Sequence, residues 1–157
     1  MTLTLWRIGK AKYEQSHWTG EGALKAAGRW THPGIPVVYT AQSQALVQLE
    51  CLAHFPRPRL ASLRLVIAPA EVPEAVSRSQ LVRHDLPDDW RRTLDPPRAL
   101  RDLGTAWLVA AETALLCVPS VLSETDCNYL INPVHPDARL IQFGKPRPFG
   151  FDRRLSG

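Results

Sequence analysis

The chain has 157 residues, a net charge of +4, 45% hydrophobic and 22% charged residues, which suits one folded domain and excludes disorder for the bulk of the chain. No apolar run approaches the roughly 20 residues of a membrane helix, and the first ten residues lack the basic-then-apolar order of a signal peptide, so a soluble protein without membrane contact is expected. Cys51, Cys117 and Cys127 show no C-x-x-C spacing, which suits reduced thiols in the cytoplasm rather than disulfides or a metal site.

In chain order, Leu3 to Ile8 alternates apolar and polar residues and predicts a strand. Gly20 to Trp30 predicts a short helix or a loop closing on Gly28. Thr31 to Gly34 is a turn by composition, and Pro36 to Tyr39 is a short buried strand. Ser43 is placed to cap a helix with Ala45, Leu46, Leu49, Leu52 and Ala53 on its inward side, stopped by Pro56 and Pro58. Leu60 to Ile67 predicts a further strand. Pro87 with Asp88 and Asp89 suits the first turn of a short helix, and Thr105 to Leu116 predicts a longer one. Cys117 to Leu122, Tyr129 to Ile131, Leu140 to Phe143 and Phe149 to Arg153 complete the strands. Strands outnumber helices and do not alternate with them as βαβ units. The expectation is a single α+β domain over residues 1–157, with a mixed or antiparallel β core flanked by helices.

Several common chemistries are excluded. Gly20-x-Gly22 is followed by Lys25 rather than a third glycine and follows no clear strand, so it is not a dinucleotide fingerprint. There is no phosphate-binding P-loop, no H-E-x-x-H and no G-x-S-x-G. The five histidines are scattered without ligand spacing, and no metal is expected. The positive charge favours an anionic partner, but basic residues are too dispersed for the dense stripe of a nucleic-acid binder.

Four stretches carry the remaining signal: Gly28-Arg29-Trp30 before Gly34; Val38-Tyr39-Thr40-Ala41; Leu49-Glu50; and Val118-Pro119-Ser120 continuing to Asn128-Tyr129-Leu130-Ile131-Asn132-Pro133-x-His135-Pro136-Asp137. In this order, from Trp6-Arg7 to Phe151-Asp152-x-Arg154-Leu155, they resemble the RES-domain family. That resemblance implies a fold like that of ADP-ribosyltransferases and a bacterial toxin acting on NAD⁺ as substrate. The activity implied is cleavage of the nicotinamide–ribose bond, as a glycohydrolase or phosphorylase, or else protein ADP-ribosylation. It also implies an Xre-like helix-turn-helix antitoxin as partner in a hetero-oligomer, with DNA reached only through that antitoxin. The family's catalytic Arg, Tyr and Glu map onto Arg29, Tyr39 and Glu50, and its Ser onto Ser120.

Each residue type suits part of that substrate. Arg29 is a candidate clamp for the pyrophosphate, because a guanidinium is always charged and can bond two oxygens at once; alternatively it is a solvated surface arginine. Arg7 is a second candidate for substrate binding. The Tyr39 ring can stack on the cationic nicotinamide, or it is a core tyrosine with a satisfied hydroxyl. Glu50 is an acid in an otherwise apolar helix, either solvated or placed to stabilise an oxocarbenium-like transition state. Ser120 has no His–Asp pattern to make it a nucleophile, so a hydrogen-bonding role is expected, with Asn128 doing similar work. Trp30 is expected to be half core and half pocket wall. A basic binding module without catalysis is the competing alternative.

Overall fold

A computed structural model describes residues 2–156. Within it the chain forms β1 (Leu3–Lys10), β2 (Val38–Ala41), α1 (Gln44–His54), α2 (Arg57–Leu60), β3 (Leu65–Val72), β4 (Arg78–Gln80), α3 (Arg98–Ala110), β5 (Leu115–Pro119), β6 (Cys127–Ile131), β7 (Gln142–Phe143), β8 (Arg147–Phe149) and α4 (Arg153–Ser156). Four short 3-10 turns fill connections between them. The strands make one sheet in the order β4-β5-β6-β2-β1-β3-β7, with β8 sharing the outer edge of β3 beside β7. Every pairing is antiparallel except β4 on β5. The expected α+β architecture with a mixed, mostly antiparallel sheet is the one the chain adopts. No helix among the described residues is long and apolar enough to cross a membrane.

The sheet is covered on both faces. β1 and β2 are joined by a single register pair, Trp6 with Ala41. Along β1 the side chains alternate. Trp6 and Ile8 face the cluster under α1, formed by Ala41, Leu46, Val47 and Ile67. Leu3 and Leu5 face the opposite cluster, with Val38, Val72, Val76, Leu115 and Ile131. A third cluster joins Leu116, Val118 and Leu130 to Leu100 and Leu108 of α3 and to Trp30 and Trp90. β3 is paired on both edges and buried on both faces, so Leu65, Val66, Ile67 and Ala68 form an unbroken apolar run rather than an alternation.

Several expected boundaries move, each for a local reason. The strand expected at Leu60 to Ile67 begins at Leu65, because Pro56 and Pro58 end α1 and then open α2; proline in a first turn lacks only an N–H that would be unpaired anyway. The helix expected from Thr105 to Leu116 runs from Arg98 to Ala110 and stops where Ala111 turns left-handed at φ 51°. Leu115 and Leu116 belong to β5. At Pro87 the chain makes a turn, closed by Trp90 N–H on the Pro87 carbonyl at 3.0 Å, instead of a helix. Phe149 to Arg153 is not a strand: the strand ends at Phe149, and Arg153 begins α4. Leu140 lies in a 3-10 turn, leaving only Gln142–Phe143 as β7. β4 was not expected at all, because its three residues carry no apolar alternation.

The face of α1 also differs from the expected stripe. Ser43 does cap the helix, accepting Leu46 N–H at 3.0 Å. However, the buried residues are Leu46, Val47 and Cys51, while Leu49 is 46% exposed. Rolling the helix this way brings Glu50 to the edge of the buried face.

Candidate active site

The loop from Gly28 to Thr31 carries the first site residue. Gly28 N–H bonds the Thr31 carbonyl at 3.1 Å and closes a tight turn. Tyr39, on β2, pins that turn from below. Its hydroxyl accepts Trp30 N–H at 3.3 Å and shares a hydrogen bond with Thr31 Oγ1 at 2.8 Å. A Cβ at position 28 would run into the Tyr39 hydroxyl and ring, so glycine is required by the close approach. On the other side, Arg101 of α3 donates its Nε to the Gly28 carbonyl at 3.0 Å.

Arg29 leaves this loop and its guanidinium bonds two backbone carbonyls, Trp90 at 3.2 Å and Arg92 at 2.9 Å. Both bonds use the same terminal nitrogen, so the remaining N–H groups are not committed to them. Burial pulls the Arg29 pKa down, the charge of Glu50 pushes it back up, and Arg101 lowers it further. Arg29 therefore sits in an electrostatic group with one acid and one further arginine.

Glu50 comes from α1 and meets Ser120, which follows the end of β5. Ser120 is fully buried and donates its hydroxyl to Glu50 Oε1 at 3.1 Å, while accepting Leu122 N–H at 3.0 Å. Asn128, on β6, also hydrogen-bonds the Glu50 carboxyl, and its amide donates to the Thr40 carbonyl at 3.3 Å. Burial raises the Glu50 pKa; the bonds from Ser120 and Asn128 and the charge of Arg29 act against that rise without cancelling it. The group is a half-buried carboxylate held by two neutral donors, with a cation nearby.

The sign of that shift gives two expectations. A carboxylate that must be ionised to act loses activity as pH falls through its raised pKa, so the acid limb of the rate profile should lie above the ordinary glutamate value of about 4.3. Single-turnover rates between pH 4 and 8 check this; a limb below that value contradicts it. For stability the sign is reversed. A glutamate whose pKa is higher folded than unfolded contributes stability at low pH that is lost as pH rises through the folded pKa. Glu50→Gln should therefore unfold at neutral pH no more easily than the wild type.

Tyr39 makes a separate expectation. Burial raises its pKa as well, so it remains a neutral phenol. Tyr39→Phe would leave Trp30 N–H and the fully buried Thr31 hydroxyl without their partner. A loss of about 1–3 kcal/mol in denaturant unfolding is expected, together with a looser Arg29 loop and weaker substrate binding. An unchanged midpoint would show that the loop does not depend on the hydroxyl.

Glu50, Ser120 and Asn128 thus meet from three separate segments, with the charge of Arg29 close enough to act on Glu50 and Tyr39 fixing the loop that carries Arg29. Arg7 does not join them. Strand alternation puts it on the Leu3–Leu5 side, away from α1, where its Nε donates to the His17 carbonyl at 2.8 Å. His17 is itself 3% exposed, and burial followed by the Arg7 charge lowers its pKa to about 4. Trp30 is 3% exposed and packs beside Trp90 with ring centroids 6.4 Å apart. Its ring is core rather than half pocket wall, and it anchors the Arg29 loop. Arg101 and Thr31 were not identified from sequence. Arg101 lies in an ordinary amphipathic helix, and only its tertiary contact with Gly28 distinguishes it. No cluster of His, Cys, Asp or Glu able to hold a metal occurs among the described residues.

Comparison with known proteins gives a consistent result. The RES domain family model matches residues 4–152. A protein of Sphingobium sp. (strain YBL2) named "Prs ADP-ribosylating toxin" is 38% identical over 160 residues, covering 99% of this chain and 98% of its own. A Yersinia enterocolitica protein named "Toxin Res" is 36% identical over 155 residues, covering 98% and 99%. Among solved structures, the toxin–antitoxin complex MbcT–MbcA of M. tuberculosis contains a chain with the same fold. It superposes with a TM-score of 0.76 at 16% identity, over 95% of this chain and 85% of that one. With nearly its whole length matched by the family model and by relatives of similar size, the chain belongs to the RES-domain family.

Proposed function

We propose that this chain is the toxin of a toxin–antitoxin pair and breaks the nicotinamide–ribose bond of NAD⁺. The observation that carries this is the Glu50 carboxylate, half-buried, held by Ser120 and Asn128 and electrostatically coupled to Arg29. Breaking the bond sends its electron pair to nicotinamide, which leaves neutral, and puts positive charge on C1′ and the ring oxygen of the ribose. A fixed carboxylate in a partly desolvated site stabilises that developing charge far better than water does. Ser120 and Asn128 hold Glu50 in one orientation, so little reorganisation is needed in the transition state. Arg29 is positioned for the pyrophosphate, which leaves the reacting ribose toward Glu50. The acceptor then attacks C1′: water loses a proton as the bond forms, whereas phosphate attacks through an anionic oxygen.

Transfer of ADP-ribose to a protein is the second possibility, favoured by the name of the Sphingobium relative. The two share every step up to departure of nicotinamide and differ only in what attacks C1′. As a toxin the chain requires restraint, so a partner protein that closes the cleft is part of the proposal; an Xre-like helix-turn-helix antitoxin is the expected form, carrying any DNA contact.

The test is incubation of purified protein with NAD⁺, with and without phosphate, and mass analysis of the products. Release of nicotinamide supports the proposal, and ADP-ribose or its 1-phosphate identifies the acceptor. Labelled NAD⁺ that marks one protein in a cell extract favours transfer. If NAD⁺ stays intact under all three conditions, the proposal fails.

A further inference from the structure

Beside the Arg29 loop lies a cavity of about 500 Å³ lined by His32, Arg92, Asp95, Pro96, Arg98 and Arg101. Three guanidinium groups face one carboxylate, and the helix dipole adds to them. α3 begins here at Arg98 without a side-chain cap, its N-cap being Pro97, so the positive end of the helix lies beside the cavity.

The charge arrangement leaves one arginine free. Arg92 is tied down, with its Nε on the Asp95 carbonyl at 2.8 Å and a terminal nitrogen 3.5 Å from Asp89. Arg101 spends its Nε on Gly28. Arg98 and Asp102 are four residues apart on α3, the spacing at which surface ion pairs normally form. Asp102 is instead engaged by His32 Nε2 at 2.6 Å. Among the described residues, Arg98 has no ion-pair partner.

The cavity is also tied to the site through hydrogen bonds. Arg101 lines it and holds the carbonyl of Gly28, next to Arg29, while Arg29 bonds the carbonyl of Arg92. Two of the lining residues, Arg92 and Arg101, therefore hold the Gly28–Arg29 turn from the cavity side. Its volume lies in the range of small-molecule pockets, ~300–1,000 Å³, and exceeds what a single phosphate fills.

We propose that this cavity is the subsite for the AMP half of the dinucleotide, recognised through its phosphate by Arg98 and Arg101. The inference rests on the proposed NAD⁺ chemistry and adds where the adenosine-side phosphate is held, next to the pyrophosphate contact of Arg29. Guanidinium groups suit this role because they bond phosphate oxygens in pairs. The lining offers no aromatic ring beyond His32, so the phosphate rather than the base supplies most of the recognition.

Calorimetric titration of wild type, Arg98→Ala and the surface control Lys25→Ala with ADP-ribose, AMP and inorganic phosphate tests it without needing turnover. Arg98 is exposed, and matched melting curves establish that the variant folds. The expected result is an ADP-ribose and AMP Kd raised about tenfold in Arg98→Ala and unchanged in Lys25→Ala, with KM for NAD⁺ rising in parallel while kcat is retained. ADP-ribose and AMP affinities within twofold of wild type would overturn the proposal. So would a variant that loses inorganic phosphate binding alone, which would assign the cavity to a free anion. Nicotinamide release by wild type alongside unaltered ADP-ribose binding in Arg98→Ala removes the subsite and leaves the chemistry standing; no release by wild type removes the chemistry itself.

Discussion

Glu50→Gln should lower the rate of nicotinamide release on the order of 10²–10³-fold while leaving the protein folded. The substitution keeps the shape of the side chain and its capacity to bond Ser120 and Asn128, and it removes only the negative charge. That charge has the sign needed to stabilise an electron-poor ribose. The folded state holds the Glu50 pKa above its ordinary value, chiefly by burial, so ionised Glu50 is a net cost to stability at neutral pH. A catalytic role therefore predicts that the variant loses activity without losing stability. A structural role predicts the opposite pattern, with lower stability and activity lost only in proportion. Rates measured alongside denaturant midpoints at pH 7 separate the two. A Glu50→Gln protein within about threefold of wild type would remove Glu50 from the chemistry, since the electrostatic contribution argued here is worth far more than that.

Gly104→Ala should be the most damaging small change to the fold. Gly104 lies in the middle of α3 between the buried Leu100 and Leu108. A Cβ there would collide with the backbone carbonyl of Trp30, with Thr31 Cγ2 close behind. Backbone cannot swing aside as a flexible side chain can, so α3 or the Arg29 loop must move. Alanine is the better helix former by about 1 kcal/mol, yet overpacking against a fixed backbone should outweigh that gain, with a net loss on the order of 3 kcal/mol. At 2–4 °C per kcal/mol for a chain of this size, the midpoint of thermal unfolding should fall by roughly 10 °C. Because the collision is with the loop that carries Arg29, activity should fall even where the variant is still folded. A melting temperature equal to or above wild type would mean that α3 and the loop are not in the close contact described.

The same glycine explains why part of the fold was hard to read. Glycine disfavours helix, and the predicted helix began only after it, at Thr105; the true helix starts seven residues earlier because close packing against Trp30 requires a residue without a side chain. α1 shows a related effect. Its apolar residues suggested a stripe through Leu46, Leu49 and Ala53, with Glu50 off to one side. The helix is rolled so that Val47 and Cys51 go inward with Leu46, and Glu50 comes to meet Ser120. The contact that favours this roll lies 70 residues away in sequence, and periodicity within one helix cannot register it.

The candidate site residues are legible for a different reason. Neither composition nor spacing distinguishes Arg29 from the other arginines; the ordered motifs shared with the RES-domain family do. The structure joins Glu50, Ser120 and Asn128, sets the charge of Arg29 near them and ties Tyr39 to the Arg29 loop. It does not bring Arg7 with them, because strand alternation on β1 sends that side chain to the other face. Arg101 went unnoticed because its significance lies in one hydrogen bond to the Gly28 carbonyl, made across 73 residues. Trp30 looked like a wall because it is next to Arg29, whereas its ring is spent on fixing that loop against α3.

A crystal structure of the Glu50→Gln protein bound to NAD⁺ puts the central claim to its most direct trial. The account predicts unbroken dinucleotide with the nicotinamide ribose against residue 50 and the pyrophosphate on Arg29. Dinucleotide seated instead on the opposite face of the sheet, beside Arg7 and His17, would contradict it.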